Sequence, residues 1–224
     1  GSSVNSSMTF SGVEMRSDSI SSVGFASIAN FNRVLLVNCN MTNIQLGTGA
    51  AATQLQVKSC NVSFYSGFAA TAIPFIDTIT STNVGLMSLI ELEGNRFDRG
   101  PSLIRLKCSS SCTLSFTGNK LLNCSNRVVN FHPIGYSPKV LIVARNVQYG
   151  GFLFNQLQTG VSKATGTSYA EFSNNYVAST TPGTAGNATI LIDDGATPWL
   201  SQYENIRVVD NMFKDATDAI RCSG

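Results

Sequence analysis

One eight-residue pattern constrains this chain more than anything else in it: h-x-h-x-x-N-x-h, where h is apolar. It occurs seven times in 224 residues, centred on Cys39, Cys60, Asn95, Asn119, Arg145, Asn175 and Asn211. Five places before the centre stand Val34, Leu55, Ile90, Leu114, Val140, Ala170 and Ile206, and three before it Leu36, Val57, Leu92, Phe116, Ile142, Phe172 and Val208. Two places after it stand Met41, Val62, Phe97, Leu121, Val147, Val177 and Phe213. Alternation with a two-residue period turns one side of a strand inward. The residues just before the centre are Asn38, Ser59, Gly94, Gly118, Ala144, Asn174 and Asp210. Small and turn-forming side chains there imply a bend. Where the Asn column departs from Asn, the next residue is Asn40, Asn61 or Asn146.

The copies are 21, 35, 24, 26, 30 and 36 residues apart, the signature of a solenoid with inserts of varying length. A leucine-rich repeat carries a similar pattern, but its additional Leu should fall eight places before the Asn, where this chain has Phe31, Ala52, Met87, Ser111, Ser137, Thr167 and Tyr203. Instead, a second apolar stretch follows four of the seven centres at a nearly constant offset: Leu103–Leu106, Val128–Phe131, Phe152–Phe154 and Ala219–Cys222. Two short strands per repeat, rich in β-branched and aromatic residues, favour an all-β fold. The expected architecture is a single-stranded right-handed parallel β-helix of about seven to eight coils. Residues 1 to 12 read as a flexible Ser-rich segment and 13 to 224 as one β-helix domain. The last stretch has no capping amphipathic helix, so the chain is expected to be a segment of a longer solenoid.

Ile206–Phe213 followed by Asp218–Cys222 resembles the repeats of the pectate-lyase-like right-handed β-helix superfamily, and the likeness covers roughly residues 30 to 222. It is specific for fold and not for activity. A weaker likeness, in cysteine content and degenerate repeats, is to the dispersed-gene-family surface proteins of kinetoplastid parasites.

Charged residues make up only 12% of the chain and the net charge is +2, without a basic cluster. That gives no electrostatic footprint for nucleic acid or an anionic membrane, and no apolar run is long enough to span a bilayer. Six cysteines point to an oxidising compartment. Cys39 and Cys60 share a column in successive repeats, about 4.8 Å apart if the repeats stack, a spacing that permits either a disulfide or two stacked thiols. Cys108 and Cys112 are spaced to close a small loop, with Cys124 as a competitor. Sequons at Asn5, Asn40, Asn61, Asn123 and Asn187 are N-glycosylation candidates, at a number close to chance for so Asn-, Ser- and Thr-rich a chain.

Enzymes of the resembled superfamily act on acidic polysaccharides. A Ca2+-dependent lyase needs converging carboxylates and a basic residue. Here Glu91 and Glu93 stand three repeats from Glu171, and Lys58 beside Glu93 reads as a surface ion pair. Asp193–Asp194 lacks the companion motifs of a polygalacturonase-like hydrolase and reads as a turn. His132 has no second His or carboxylate partner in sequence, and the cysteines lack zinc spacing. No catalytic residue, metal site or cofactor is therefore expected. Binding remains: Trp199, Tyr203, Phe64, Tyr65 and Tyr149 sit in inserts or at repeat ends, where aromatic rings can contact a glycan or a surface protein. The expectation is a non-catalytic extracellular or cell-surface module with an adhesive, binding or structural role. The alternatives are a polysaccharide lyase or glycoside hydrolase, and a trimeric phage fibre or tailspike segment.

Overall fold

The computed structural model describes residues 6–18, 24–27, 31–47, 54–64, 75–77, 87–99, 104–106, 108–123, 129–131, 138–149, 154–156, 168–178, 188–192, 203–214 and 218–222. The described residues are strands and turns, without a helix, and every sheet is parallel. Sheet A takes, in chain order, Ser7–Ser11, Arg33–Val37, Gln54–Lys58, Met87–Glu93, Cys108–Thr117, Val140–Ala144, Tyr169–Ser173 and Asn205–Val209. Sheet B takes Glu14–Arg16, Asn40–Thr42, Asn61–Ser63, Arg96–Asp98, Lys120–Leu122, Val147–Tyr149, Tyr176–Ala178 and Met212–Lys214. A five-stranded sheet C holds Gly24–Ser27, Ile44–Gly47, Ile76–Asp77, Ile104–Leu106 and Val129–Phe131, and a three-stranded sheet D holds Phe154–Gln156, Ala188–Ile192 and Asp218–Cys222. Each repeat adds one strand to A, one to B and one to C or D, always beside its predecessor.

The h-x-h-x-x-N-x-h pattern therefore spans two strands, the first h pair in sheet A and the last h in sheet B, joined through a sharp bend. The bend residue has positive φ in all eight repeats: Gly12, Asn38, Ser59, Gly94, Gly118, Arg145, Asn174 and Asp210, between 52° and 66°. Left-handed backbone is open to Gly and tolerated by Asn and Asp, which explains six of the eight, with Ser59 and Arg145 as exceptions.

The described strands make eight repeats, one more than the seven copies of the pattern. Ser7–Ser11 pairs in register with Arg33–Val37, and Met15 pairs with Met41. This corrects the expected boundary, because Met8, Phe10 and Met15 follow the apolar pattern although Val13 occupies the Asn position. The sixth repeat is also one residue out of the expected register. Leu141 and Val143, not Val140 and Ile142, align with Leu114 and Phe116 and are buried. Asn146 fills the Asn column, Arg145 takes the bend, and Gln148 lies wholly buried where an apolar residue was expected.

One hydrophobic cluster joins the sheets: Leu92 and Phe116 from A, Met41 and Phe97 from B, Leu46, Ile76 and Ile104 from C. Phe97 stacks on Phe116 with centroids 6.1 Å apart and meets Phe75 at 5.9 Å. In the end repeats the corresponding side chains, Phe10, Met15, Ile206, Val208 and Phe213, are only partly buried.

At the bend a file of asparagine side chains runs between repeats. The backbone N–H groups of Cys60, Asn95, Asn119, Asn146 and Asn175 donate to the side-chain oxygen of the next Asn at 2.9–3.0 Å. Each amide nitrogen also donates back to a sheet A carbonyl of the previous repeat, Asn95 to Val57 and Asn119 to Leu92 at 2.8 and 2.9 Å. Cys60 continues the file by accepting the Cys39 N–H on sulfur at 3.3 Å.

Candidate functional site

The outer faces of sheets A and B carry the side chains a partner could reach. On sheet A the charges neutralise one another. The Lys58 ammonium donates to Glu91 at 3.0 Å and lies 3.1 Å from Glu93, and Gln56 donates its amide N–H to Glu91. Burial raises the Glu91 carboxyl, but the Gln56 and Lys58 bonds outweigh it and hold the group below the ordinary carboxylate range. The bond to Glu91 holds the Lys58 ammonium above its ordinary value. Three strands away, Glu171 accepts bonds from Ser173 at 2.6 Å and from the Tyr169 hydroxyl, with Arg207 at 3.9 Å. The Ser173 and Tyr169 bonds lower its carboxyl too. Glu91 aligns with Ser115, Ile142 and then Glu171, so the two carboxylates stand about 14 Å apart at ordinary strand spacing. Two ionised carboxylates so far apart cannot act as an acid–base pair on one bond. Among the described residues no three His, Cys, Asp or Glu side chains converge as metal ligands would.

Sheet B changes character along its length. Its early outer face is polar. Asn61 donates to Asn40 at 2.9 Å, Ser63 to Thr42 at 3.4 Å, and Asn123 to Asp98 at 3.1 Å. Its late outer face is aromatic and apolar. One row runs Lys120, Val147, Tyr176, Met212 and the next Leu122, Tyr149, Ala178, Lys214. Tyr149 is 42% exposed and Met212 63%. The Tyr149 and Tyr176 rings meet at 5.9 Å with planes tilted by 58°, a diagonal cross-strand pair. The chain matches no protein-family model, no curated protein and no solved structure.

Of the aromatic residues expected to bind, Tyr149 alone is placed on this face. Phe64 and Tyr203 are buried, 4% and 5% exposed, and belong to the core. Burial, with the Cys108 and Cys112 thiols nearby, pushes the Tyr203 phenol well above its usual value. Both residues follow or precede a strand, where a ring can fold back over the core, and that correction removes them from the surface set. Trp199, Tyr65 and the Asn187 sequon lie outside the described residues. Tyr176 and Met212 lie within the repeat and not in an insert; their signal in the sequence is the x between N and h, which is polar in early repeats and turns apolar here.

The four described cysteine side chains, Cys39, Cys60, Cys108 and Cys112, are buried free thiols; Cys39 and Cys60 take the stacked-thiol alternative, and the expected loop closure by Cys108 and Cys112 is corrected. Cys39 and Cys60 are occupied in the bend, their sulfurs donating to the Val37 and Lys58 carbonyls at 3.4 and 3.3 Å. Burial pushes the Cys60 thiol up to about 11 and the Cys108 thiol well above its ordinary value, so neither is a ready nucleophile.

Proposed function

We propose that the chain is a right-handed parallel β-helix of eight coils serving as a non-catalytic extracellular or cell-surface binding module, with the late outer face of sheet B as its contact surface. The observation that carries this reading is the juxtaposition of exposed Tyr149 and Met212 with Tyr176 on three adjacent strands of one parallel sheet. Rings held in place by a sheet present contact area with little rotamer entropy to lose. The separation of Glu91 and Glu171 argues in the same direction, since carboxylates about 14 Å apart cannot serve one scissile bond. A glycan is the favoured partner class, its ring faces meeting the tyrosines and its hydroxyls the flanking Lys120 and Lys214; a surface protein is the other.

The test is a binding screen over immobilised glycans with the wild type and Tyr149→Ala. A glycan bound by the wild type is expected to be held about tenfold more weakly by the variant, since an aromatic contact is worth roughly 0.5–1.5 kcal/mol beyond its area. Binding unaffected by Tyr149→Ala and Tyr176→Ala would place the contact surface elsewhere. Release of cleaved products from pectin, alginate or glycosaminoglycans, with or without Ca2+, would replace this reading with an enzymatic one.

A further inference from the structure

Two of the sequons, Asn40-Met41-Thr42 and Asn61-Val62-Ser63, occupy neighbouring strands of sheet B in exact apposition: Asn40 pairs with Asn61, Met41 with Val62 and Thr42 with Ser63. The middle residues point into the core, Met41 1% and Val62 2% exposed, which turns each Asn and its hydroxyl partner outward together. Both asparagines are exposed. Among the described residues, the strand positions paired with them are charged, Glu14 and Arg16 on the preceding strand and Arg96 and Asp98 on the following one. The setting is a solvated surface of the kind that carries N-linked glycans.

We propose that this pair is one N-glycosylation site, filled on Asn40 and left empty on Asn61. The two side chains are rooted one strand spacing apart, about 4.8 Å. The first sugar of an N-linked glycan with its ring substituents is wider than that, so two glycans compete for the same space above the sheet. Their amides are also unequal. Asn61 directs its amide nitrogen to the Asn40 side-chain oxygen at 2.9 Å, which leaves the Asn40 nitrogen turned away from the pair. A glycan on Asn40 leaves both Asn61 amide N–H groups in place to keep that hydrogen bond, whereas one on Asn61 leaves its nitrogen a single N–H with which to keep it. In the transfer the Asn40 amide nitrogen bonds the anomeric carbon of a lipid-diphosphate-linked oligosaccharide. The anomeric carbon–oxygen bond breaks, the lipid diphosphate leaves with its electron pair, and the amide nitrogen gives up one proton. Chains modified at both positions before folding cannot seat the two strands side by side, so the folded, secreted fraction carries one glycan.

The inference needs passage through a secretory compartment, which the test supplies, so its failure is separable from failure of the binding reading. The chain is expressed behind a leader peptide in a eukaryotic host, with its other sequons disabled by Ser7→Ala, Ser125→Ala and Thr189→Ala. Intact mass counts the glycans on the secreted protein and glycopeptide mapping locates them. The expected result is one glycan, on Asn40; Asn61→Gln leaves it there, and Asn40→Gln moves it to Asn61 with the count unchanged. Secreted molecules with two glycans, molecules with none, a wild-type glycan on Asn61, or an Asn40→Gln protein with an unmodified Asn61 would each overturn the proposal.

Discussion

At the residue scale, two positions in each repeat carry most of the specification, the left-handed bend residue and the one after it. Gly94 and Gly118 take φ of 63° and 64° without strain, and a Cβ at Gly118 would meet only ordinary contact with the Gly94 backbone, so any penalty for Ala there is conformational. Arg145 adopts 56° because its neighbour Asn146 is required in the file of asparagines. Cys60 substitutes for Asn at the cost of a titratable group. Its folded thiol is raised from 9.0 to about 11, so stability is fully present below pH 9 and falls as pH rises toward 11, where the unfolded chain has already released that proton. The loss attributable to this thiol is about 3 kcal/mol. Urea unfolding of the wild type and Cys60→Asn at pH 8 and pH 11 measures it: the variant is expected to keep more of its stability, because its amide takes a ladder position and cannot ionise.

At the scale of elements, the asparagine file decides register. In Val140-Leu141-Ile142-Val143 either alternate pair could face inward, and hydrophobic pattern alone cannot choose. The buried file chooses, because the alternative register would place the Arg145 guanidinium where Asn119 N–H and amide need an acceptor, at 2.9 and 3.1 Å from Asn146. An unpaired charge there would be far more costly than burying Gln148. The same file makes position matter for mutations. Asn119→Ala removes the acceptor of two Asn95 donors and the bond to Leu92 in a fully buried setting. A loss of about 3 kcal/mol or more is expected in denaturant unfolding. Asn211→Ala, in the half-buried last repeat, is expected to cost clearly less, since water can reach the groups it leaves behind. Equal losses at the two sites would show that the file does not stabilise through buried hydrogen bonds.

At the scale of the whole molecule, a stack of repeats in which each touches its neighbours has graded stability. Ile90, Leu92, Leu114 and Phe116 are fully buried, whereas Phe10, Ile206 and Val208 are only partly so. Native-state hydrogen exchange is therefore expected to be slowest for amides of Met87–Glu93 and Cys108–Thr117. It should be fastest in Ser7–Ser11 and Asn205–Val209, and uniform protection would mean that the repeats unfold as one unit.

The repeating apolar pairs, the turn residues and the asparagines were legible because each reports a local demand, a strand face, a left-handed bend or a buried polar side chain, that recurs in every repeat. From these the sequence alone determined an all-β chain with repeats placed almost to the residue. The contact surface was not legible in the same way. Tyr176 and Met212 share the position between N and h, but Tyr149 stands two places further along its own repeat, and nothing in local sequence says that it meets Tyr176. Phe64 and Tyr203 look like surface rings until the core they cover is in place. Tertiary structure decided the eighth repeat, the register around Asn146, the free state of the thiols and the meeting of the aromatic side chains, because each depends on what lies one strand spacing away in space and 20 or more residues away in sequence.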